Sequence, residues 1–352
     1  MSRTRDLGKI ISGNFDVPAS SLDNVTRSNI SDLGIGALSN RNLIINGGFE
    51  ISQRGDYTSA SSYNDGTYHI DRWETLRDGV TATIQHLVPV VGESSYGVKL
   101  VATSSTAGTI RLRQRFEIPN IYKWGGRTFT LSARVKSNSS NARLMMYGGS
   151  GGGYVTISSD SNDSHTGGGA METLTATFTT TGSVSSEFAA FVGIDNARSV
   201  SDPTITSGDY FEVYDFQLEV GDTATPFEHR SYGDELAKCK RYYANYKATT
   251  GDQPHMAFPY AGFAKSTTAA ELFGNHPIEM RIRPTVSFNS VTAFRVAIDS
   301  TDRDTTNMEV DFVSTTSMRL KLTCATGMTD KEGVGLLNKA NTLAIINFDA
   351  EL

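Results

Sequence analysis

The chain has 352 residues, a formal net charge of −6, and 33 glycines against two cysteines. At about 150 residues per domain this length predicts roughly two domains. The mild acidity gives no electrostatic case for nucleic-acid binding, and two cysteines are too few for a disulfide framework. No apolar stretch approaches the roughly 18 residues of a membrane span, so no membrane insertion is expected. Residues 1–11 lack the apolar core of a signal peptide, which predicts assembly in the cytoplasm without secretion.

Residues 1–40 are polar, with Phe15 the lone aromatic side chain. Too few apolar groups are present to offset the chain entropy of folding. This segment reads as a tail or as an arm that orders on a partner. Leu7, Ile10 and Ile11 can form one apolar stripe on a short helix.

From residue 41 to about 230 the pattern is strand after strand. In 128–135, Phe129, Leu131, Ala133 and Val135 alternate with Thr128, Thr130, Ser132 and Arg134. In 110–116, Ile110, Leu112, Gln114 and Phe116 alternate with Arg111, Arg113 and Arg115, which predicts a solvated arginine face. A period of two with one polar face indicates antiparallel sheets packed on a core. About ten such strands with turns between them predict a jelly-roll β-sandwich. The glycine-flanked stretch 148–169 interrupts the pattern and reads as a long exposed loop or hairpin.

Residues 231–246 read as a connector helix. Ser231 is placed to cap it, and Leu236, Cys239 and Tyr243 follow helical spacing, with Tyr242 and Tyr246 beside them. Residues 247–352 carry seven short strand patterns and predict a second, smaller β-sandwich. The whole is an all-β chain: arm 1–40, jelly roll 41–230, connector 231–246 and C-terminal domain 247–352.

Three segments carry a resemblance. One is Asn42 to Glu50, Asn-Leu-Ile-Ile-Asn-Gly-Gly-Phe-Glu, running on to Gly55. The second is Asp71-Arg72-Trp73. The third runs from Gln217 through Pro226, Phe227, His229 and Arg230 to Tyr243. Together with the closing Asp349-Ala350-Glu351-Leu352 they resemble the tail-fibre and minor tail proteins of bacteriophages and prophages. The first segment and the 215–219 strand also resemble galactose-binding-like jelly rolls, among them carbohydrate-binding modules. The resemblance implies a homotrimeric structural fibre of the virion that attaches to a host-surface glycan. Residues 1–40 would join it to other tail, baseplate or head proteins. A polysaccharide-degrading tailspike, a head-decorating fibre and a stand-alone carbohydrate-binding module are the alternatives.

Candidate sites follow. In similar jelly rolls an early Glu and a late Asp hold a structural calcium ion, and Glu50 and Asp215 fall at matching places. The plain alternative is two solvated or hydrogen-bonded carboxylates. Sugar recognition needs aromatic faces flanked by polar groups. Trp73 and Trp124 offer such faces unless they plug the ends of the core. Tyr147, Tyr154 and His165 are the loop-borne candidates. No nucleophile elbow, phosphate loop, zinc motif or marked carboxylate pair occurs, so no enzymatic activity is expected.

Overall fold

The computed structural model describes residues 41–89, 96–117, 124–148, 162–180, 188–195, 202–248, 257–298 and 301–352. The proposed arm 1–40, Tyr154 and residues 149–161 of the proposed loop lie outside the described residues. Residues 42–352 form one compact unit.

The strands of the first part, in chain order, are β1 (Ser61–Ser62), β2 (Thr67–Ile70), β3 (Trp73–Asp78), β4 (Ala82–Leu87), β5 (Gly97–Ala102), β6 (Thr106–Ala107), β7 (Thr109–Arg115), β8 (Thr128–Ser137), β9 (Ala142–Gly148), β10 (Met171–Thr179), β11 (Phe188–Ile194), β12 (Thr204–Ile205) and β13 (Tyr210–Val220). They build a six-stranded sheet, β1-β4-β5-β13-β8-β10, and a five-stranded sheet, β2-β3-β7-β11-β9. Every pairing in both sheets is antiparallel. The alternation in the sequence explains the layering. Leu174, Ala176 and Phe178 of β10 and Phe129, Leu131 and Val135 of β8 point into a shared core with Leu112, Val192 and Phe188 of the opposite sheet. Their threonine partners stay outside, where Thr128 and Thr179 share a hydrogen bond of 2.9 Å.

The outer face of the five-stranded sheet departs from expectation. It holds a second, small apolar cluster of Leu76, Met145, Ala189 and Phe191. Arg111 pairs with Asp195 at 3.0 Å and Arg113 with Glu74 at 2.7 Å. Both guanidinium groups lie over the Phe191 ring, at 6.0 and 5.6 Å. The expected solvated arginine face is therefore ion-paired and largely buried, because its acidic partners arrive from other strands.

The connector is shorter than 231–246. Helix α1 spans Tyr232–Lys240, with Ser231 as N-cap accepting from the Asp234 amide at 3.2 Å. The chain then enters β14 (Tyr243–Ala248), which pairs with β22 (Ala344–Asp349). Cross-strand pairing claims Tyr243 and Tyr246, which helical spacing had grouped with Cys239, and Tyr242 falls in the turn between α1 and β14. Between these two lie β15 (Ala257–Ala264), β16 (Ala269–Asn275), β17 (Thr285–Phe288), β18 (Phe294–Ala297), β19 (Arg303–Val313), β20 (Ser317–Cys324) and β21 (Gly333–Asn338). The second β unit is more specific than a small sandwich. Six strands, β15-β16-β20-β19-β18-β21, close into a barrel, and β14-β22-β17 form a separate sheet. Closure comes from β21, which pairs with both β15 and β18. Its own core centres on Leu272, Phe294, Leu320, Leu336 and Phe348.

One glycine sets a limit on packing in the first part. A Cβ on Gly193 in β11 would lie 2.3 Å from the Ile110 carbonyl oxygen and 2.7 Å from the Arg111 Cα. The obstructing atoms are backbone, so the strand itself must shift. Gly193→Ala is expected to cost about 1–3 kcal/mol or more, as overpacking in a dense interior does. Chemical denaturation would show it as a lower midpoint at unchanged slope.

Candidate functional site

The residues that carry the resemblance come together in the structure. They form one hydrogen-bonded network at the end of the sandwich, where α1, β14 and residues 349–352 dock.

The first layer ties the start of the sandwich to its last strand. Asn42 accepts from the amides of Ile44 and Leu218 at 2.9 and 3.1 Å, and donates to the Phe216 carbonyl at 3.1 Å. Asn46 sits at φ +58°, a left-handed conformation that asparagine tolerates. Its side chain donates to the carbonyls of Ile51 and Asp71 at 2.9 and 3.0 Å. Its carbonyl accepts from the Trp73 indole at 2.9 Å. Gly47 follows because a Cβ there would meet the Phe216 carbonyl oxygen at 2.1 Å. Arg230 closes the layer. It donates to the Ile44 carbonyl at 3.0 Å, to the Asn42 carbonyl and to Glu235 of α1 at 2.5 Å.

The second layer binds the sandwich to the second β unit. Arg72 and Glu351 are ion-paired with side chains only 2% and 4% exposed. Arg72 also donates to the Arg115 carbonyl at 2.7 Å and lies 3.6 Å from the centre of the Tyr242 ring. Arg54 repeats the arrangement. It stacks at 3.7 Å on Tyr243 and pairs with Asp349 at 3.1 Å and Glu351 at 3.5 Å. The register explains this second clamp, since Tyr243 is opposite Asp349 in the β14–β22 pair. Gln53 donates to the Tyr243 carbonyl at 2.7 Å, and Arg115 and Tyr68 donate to the Leu352 carbonyl at 2.8 and 2.9 Å. Asp71, deep between the layers, accepts from the Gln53 amide and side chain at 3.0 and 2.5 Å. Burial, only partly offset by Gln53 and Arg54, pushes its carboxyl up to about 6. Arg72 at φ +71° and Phe49 at φ +57° add backbone strain. Such strain persists only where the surroundings over-determine the conformation.

The individually expected site residues are scattered. Trp73 is fully buried, packed between Phe49 and Phe216 at ring distances of 5.0 and 4.9 Å. Trp124 is buried among Phe116, Phe188 and Phe129 at 4.9, 5.3 and 5.5 Å. Both rings are core, and neither presents a face to a sugar. His165, expected on an exposed loop, is buried: its Nδ1 accepts from the Gly167 amide at 2.8 Å and its Nε2 donates to the Ala170 carbonyl at 2.9 Å. It pins a turn. Tyr147 is half-buried at the end of β9, edge-on to Phe191 at 6.4 Å.

Glu50 and Asp215 have separate partners. Asp215, at a bulge in β13 with φ +51°, accepts from Arg134 at 2.7 Å. Its other oxygen is buried without a partner, one ligand where calcium takes six to eight. Glu50 lines a small pocket with Asn46, Phe227, His229, Arg230 and Glu235. Burial and then the Glu235 charge raise its carboxyl above the usual range. Among the described residues no group of three or more His, Cys, Asp and Glu side chains is arranged to hold a metal ion. The two acids are thus in different surroundings, Asp215 on Arg134 and Glu50 facing the charges of Glu235 and His229.

No protein-family model matches the chain, and no curated protein matches it. Solved structures with some similarity include the enzymatically active domain of tailspike protein 4 from bacteriophage CBA120. That match has 15% identity, 51% of this chain, 22% of the tailspike domain chain and a TM-score of 0.32. A family 11 carbohydrate-binding module of Clostridium thermocellum Lic26A-Cel5E matches at 13% identity over 48% of this chain and 99% of its own, with a TM-score of 0.28. A receptor binding domain matches at 9% over 84% and 98%, with a TM-score of 0.22. At these identities and TM-scores no activity, ligand or partner passes from them to this chain.

Two outcomes follow for the network. Glu351→Gln leaves a guanidinium buried without its counter-charge, and such losses cost about 3–5 kcal/mol. Thermal and chemical unfolding are expected to show that loss, against near-neutrality for Glu309→Gln on the exposed face of β19. The Asp71 carboxyl, raised from 3.8, binds a proton in the folded chain that the unfolded chain releases between pH 4 and 6. Its contribution is thus present below about pH 4 and lost as pH rises through 6. The stability of the wild type relative to Asp71→Asn should therefore fall by up to about 3 kcal/mol from pH 4 to pH 7. A pH-independent difference would mean that Arg54 holds Asp71 ionised throughout.

Proposed function

We propose that the chain is a subunit of a virion fibre, of the tail-fibre kind, that attaches the particle to a host cell by binding surface glycan without cleaving it. In this reading copies assemble as a homotrimer, and residues 1–40 join it to neighbouring virion proteins. The observation that carries the reading is the clamp of Arg72 and Arg54 onto Glu351, Asp349, Tyr242 and Tyr243. The segments that resemble phage fibre and minor tail proteins supply most of it. A fibre has to hold two β modules in fixed relation while both are exposed to shear and solvent. Buried ion pairs stacked on tyrosines hold them so, whereas a flexible linker would let them rock. Fixed geometry also favours attachment by many weak sites, because binding in one copy leaves the next correctly placed.

Sugar contact is assigned to the end of the sandwich that carries Tyr147, the candidate whose ring is half-buried and edge-on rather than consumed by the core. The test joins location to binding. Antibody against the chain should label virion tails and block adsorption, and Tyr147→Ala should weaken retention on host glycan severalfold at unchanged melting temperature. Labelling confined to heads would replace the tail-fibre reading with a decorating fibre. Release of oligosaccharides from host polysaccharide by the purified chain would replace it with a tailspike.

A further inference from the structure

The barrel carries an aromatic surface that none of the expected sites includes. Phe263 of β15, Phe273 of β16 and Phe312 of β19 are 39%, 46% and 64% exposed. Strand register makes them neighbours. Ala261, Phe273, Arg319 and Phe312 form one row across β15, β16, β20 and β19. Phe263, Glu271, Lys321 and Glu309 form the next row. Phe263 and Phe273 stack at 6.3 Å, and Arg319 lies 4.5 Å from the centre of the Phe312 ring. Three phenyl rings on one exposed sheet face are a recognition feature, since scattered apolar residues are ordinary and clustered ones are not.

We propose that this face is where copies of this chain associate. Three observations favour that occupant over a sugar. The rings are phenylalanines, with no hydroxyl or indole N–H to meet a sugar's polar groups. The flanking charged groups bond one another: Arg319 and Lys321 donate to Asp311, and Lys265 and Arg319 pair with Glu271. The charges interleaved with the rings balance, Glu271, Glu309 and Asp311 against Lys265, Arg319 and Lys321. An identical copy therefore meets exposed rings set among both signs of charge, without net repulsion. The barrel also lacks open strand edges, so copies meet there face to face and not by adding strands. The inference rests on the assembled-fibre part of the function proposed above and names its surface.

The test is the solution mass of the full chain by light scattering or sedimentation. The wild type should be oligomeric at micromolar concentration. Phe273→Glu/Phe312→Glu should weaken association by about a hundredfold or more, at an unchanged melting temperature. Phe312→Glu alone, at the most exposed ring, should weaken it in part and serves if the double variant folds poorly. Val220→Glu, an exposed apolar position on the sandwich, should leave the mass unchanged. A monomeric wild type overturns both this surface and the assembled fibre. An oligomer that survives both Phe variants overturns the surface alone. Unchanged mass with lost glycan retention in the double variant would assign the face to sugar instead.

Discussion

The buried guanidinium of Arg72 is the constraint around which the molecule is arranged. A charge removed from water is costly unless it is paired and hydrogen-bonded. Here a carboxylate answers it from Glu351, a carbonyl from Arg115 and a π face from Tyr242, and only its Nε is buried without a hydrogen-bond partner. Glu351 and Tyr242 come from opposite ends of the second β unit. They reach the same guanidinium because the Ala350 amide donates to the Tyr242 carbonyl at 2.7 Å, beyond the end of the β14–β22 pair. The charge can be buried only when that unit is folded with both ends seated on the sandwich. Docking and folding of the second unit are thus coupled through one side chain. Replacing the pair by apolar groups of similar volume would hold the surfaces as tightly in energy, but would not fix their register as the directional fork does.

The same logic explains what was legible in the sequence. Local regularities were: the alternation in β7 and β8 predicted their strands and their inward residues, and Ser231 was correctly placed as a cap. Pairing over distance was not. Arg72 and Glu351 are 279 positions apart. Arg111, Arg113 and Arg115 read as a solvated stripe because their acidic partners are distant in sequence, Glu74 in β3 and Asp195 just past β11. Tyr243 and Tyr246 suit a helix face by spacing alone, yet aromatic residues also suit strands, and partnership with β22 decided between them. Barrel closure depends on β21 reaching both β15 and β18, which no periodicity records.

The candidate site shows a subtler division. The segments 42–50, 71–73 and 217–243 stood out as a group, and the structure draws them into one place. Residue by residue, several of them serve the fold. Asn46, Gly47, Trp73 and Arg230 have unusual identities because each meets a backbone constraint: a left-handed turn, a 2.1 Å approach, a buried carbonyl, and the paired carbonyls of Asn42 and Ile44. Sugar stacking and junction packing both call for aromatic rings beside arginines and acids, so composition cannot tell them apart. Burial can, and it assigns both tryptophans to the core.

Burial also separates the two aromatic systems of the second unit. Tyr242 and Tyr243 are covered by guanidinium groups from the sandwich, which fixes them to one partner within the chain. Phe263, Phe273 and Phe312 lie on the barrel wall with their flanking charges already paired, and nothing within the described residues covers them. If copies meet at that wall, the load path of an assembled fibre runs from one barrel to the next, and in each copy through Arg72 and Arg54 into the sandwich. The junction then has to be stiffer than the contacts it serves, because an attachment surface that rocks loses the effective concentration that makes weak sites add. A buried, doubly stacked arginine clamp meets that requirement better than an apolar seam, since it resists sliding as well as separation.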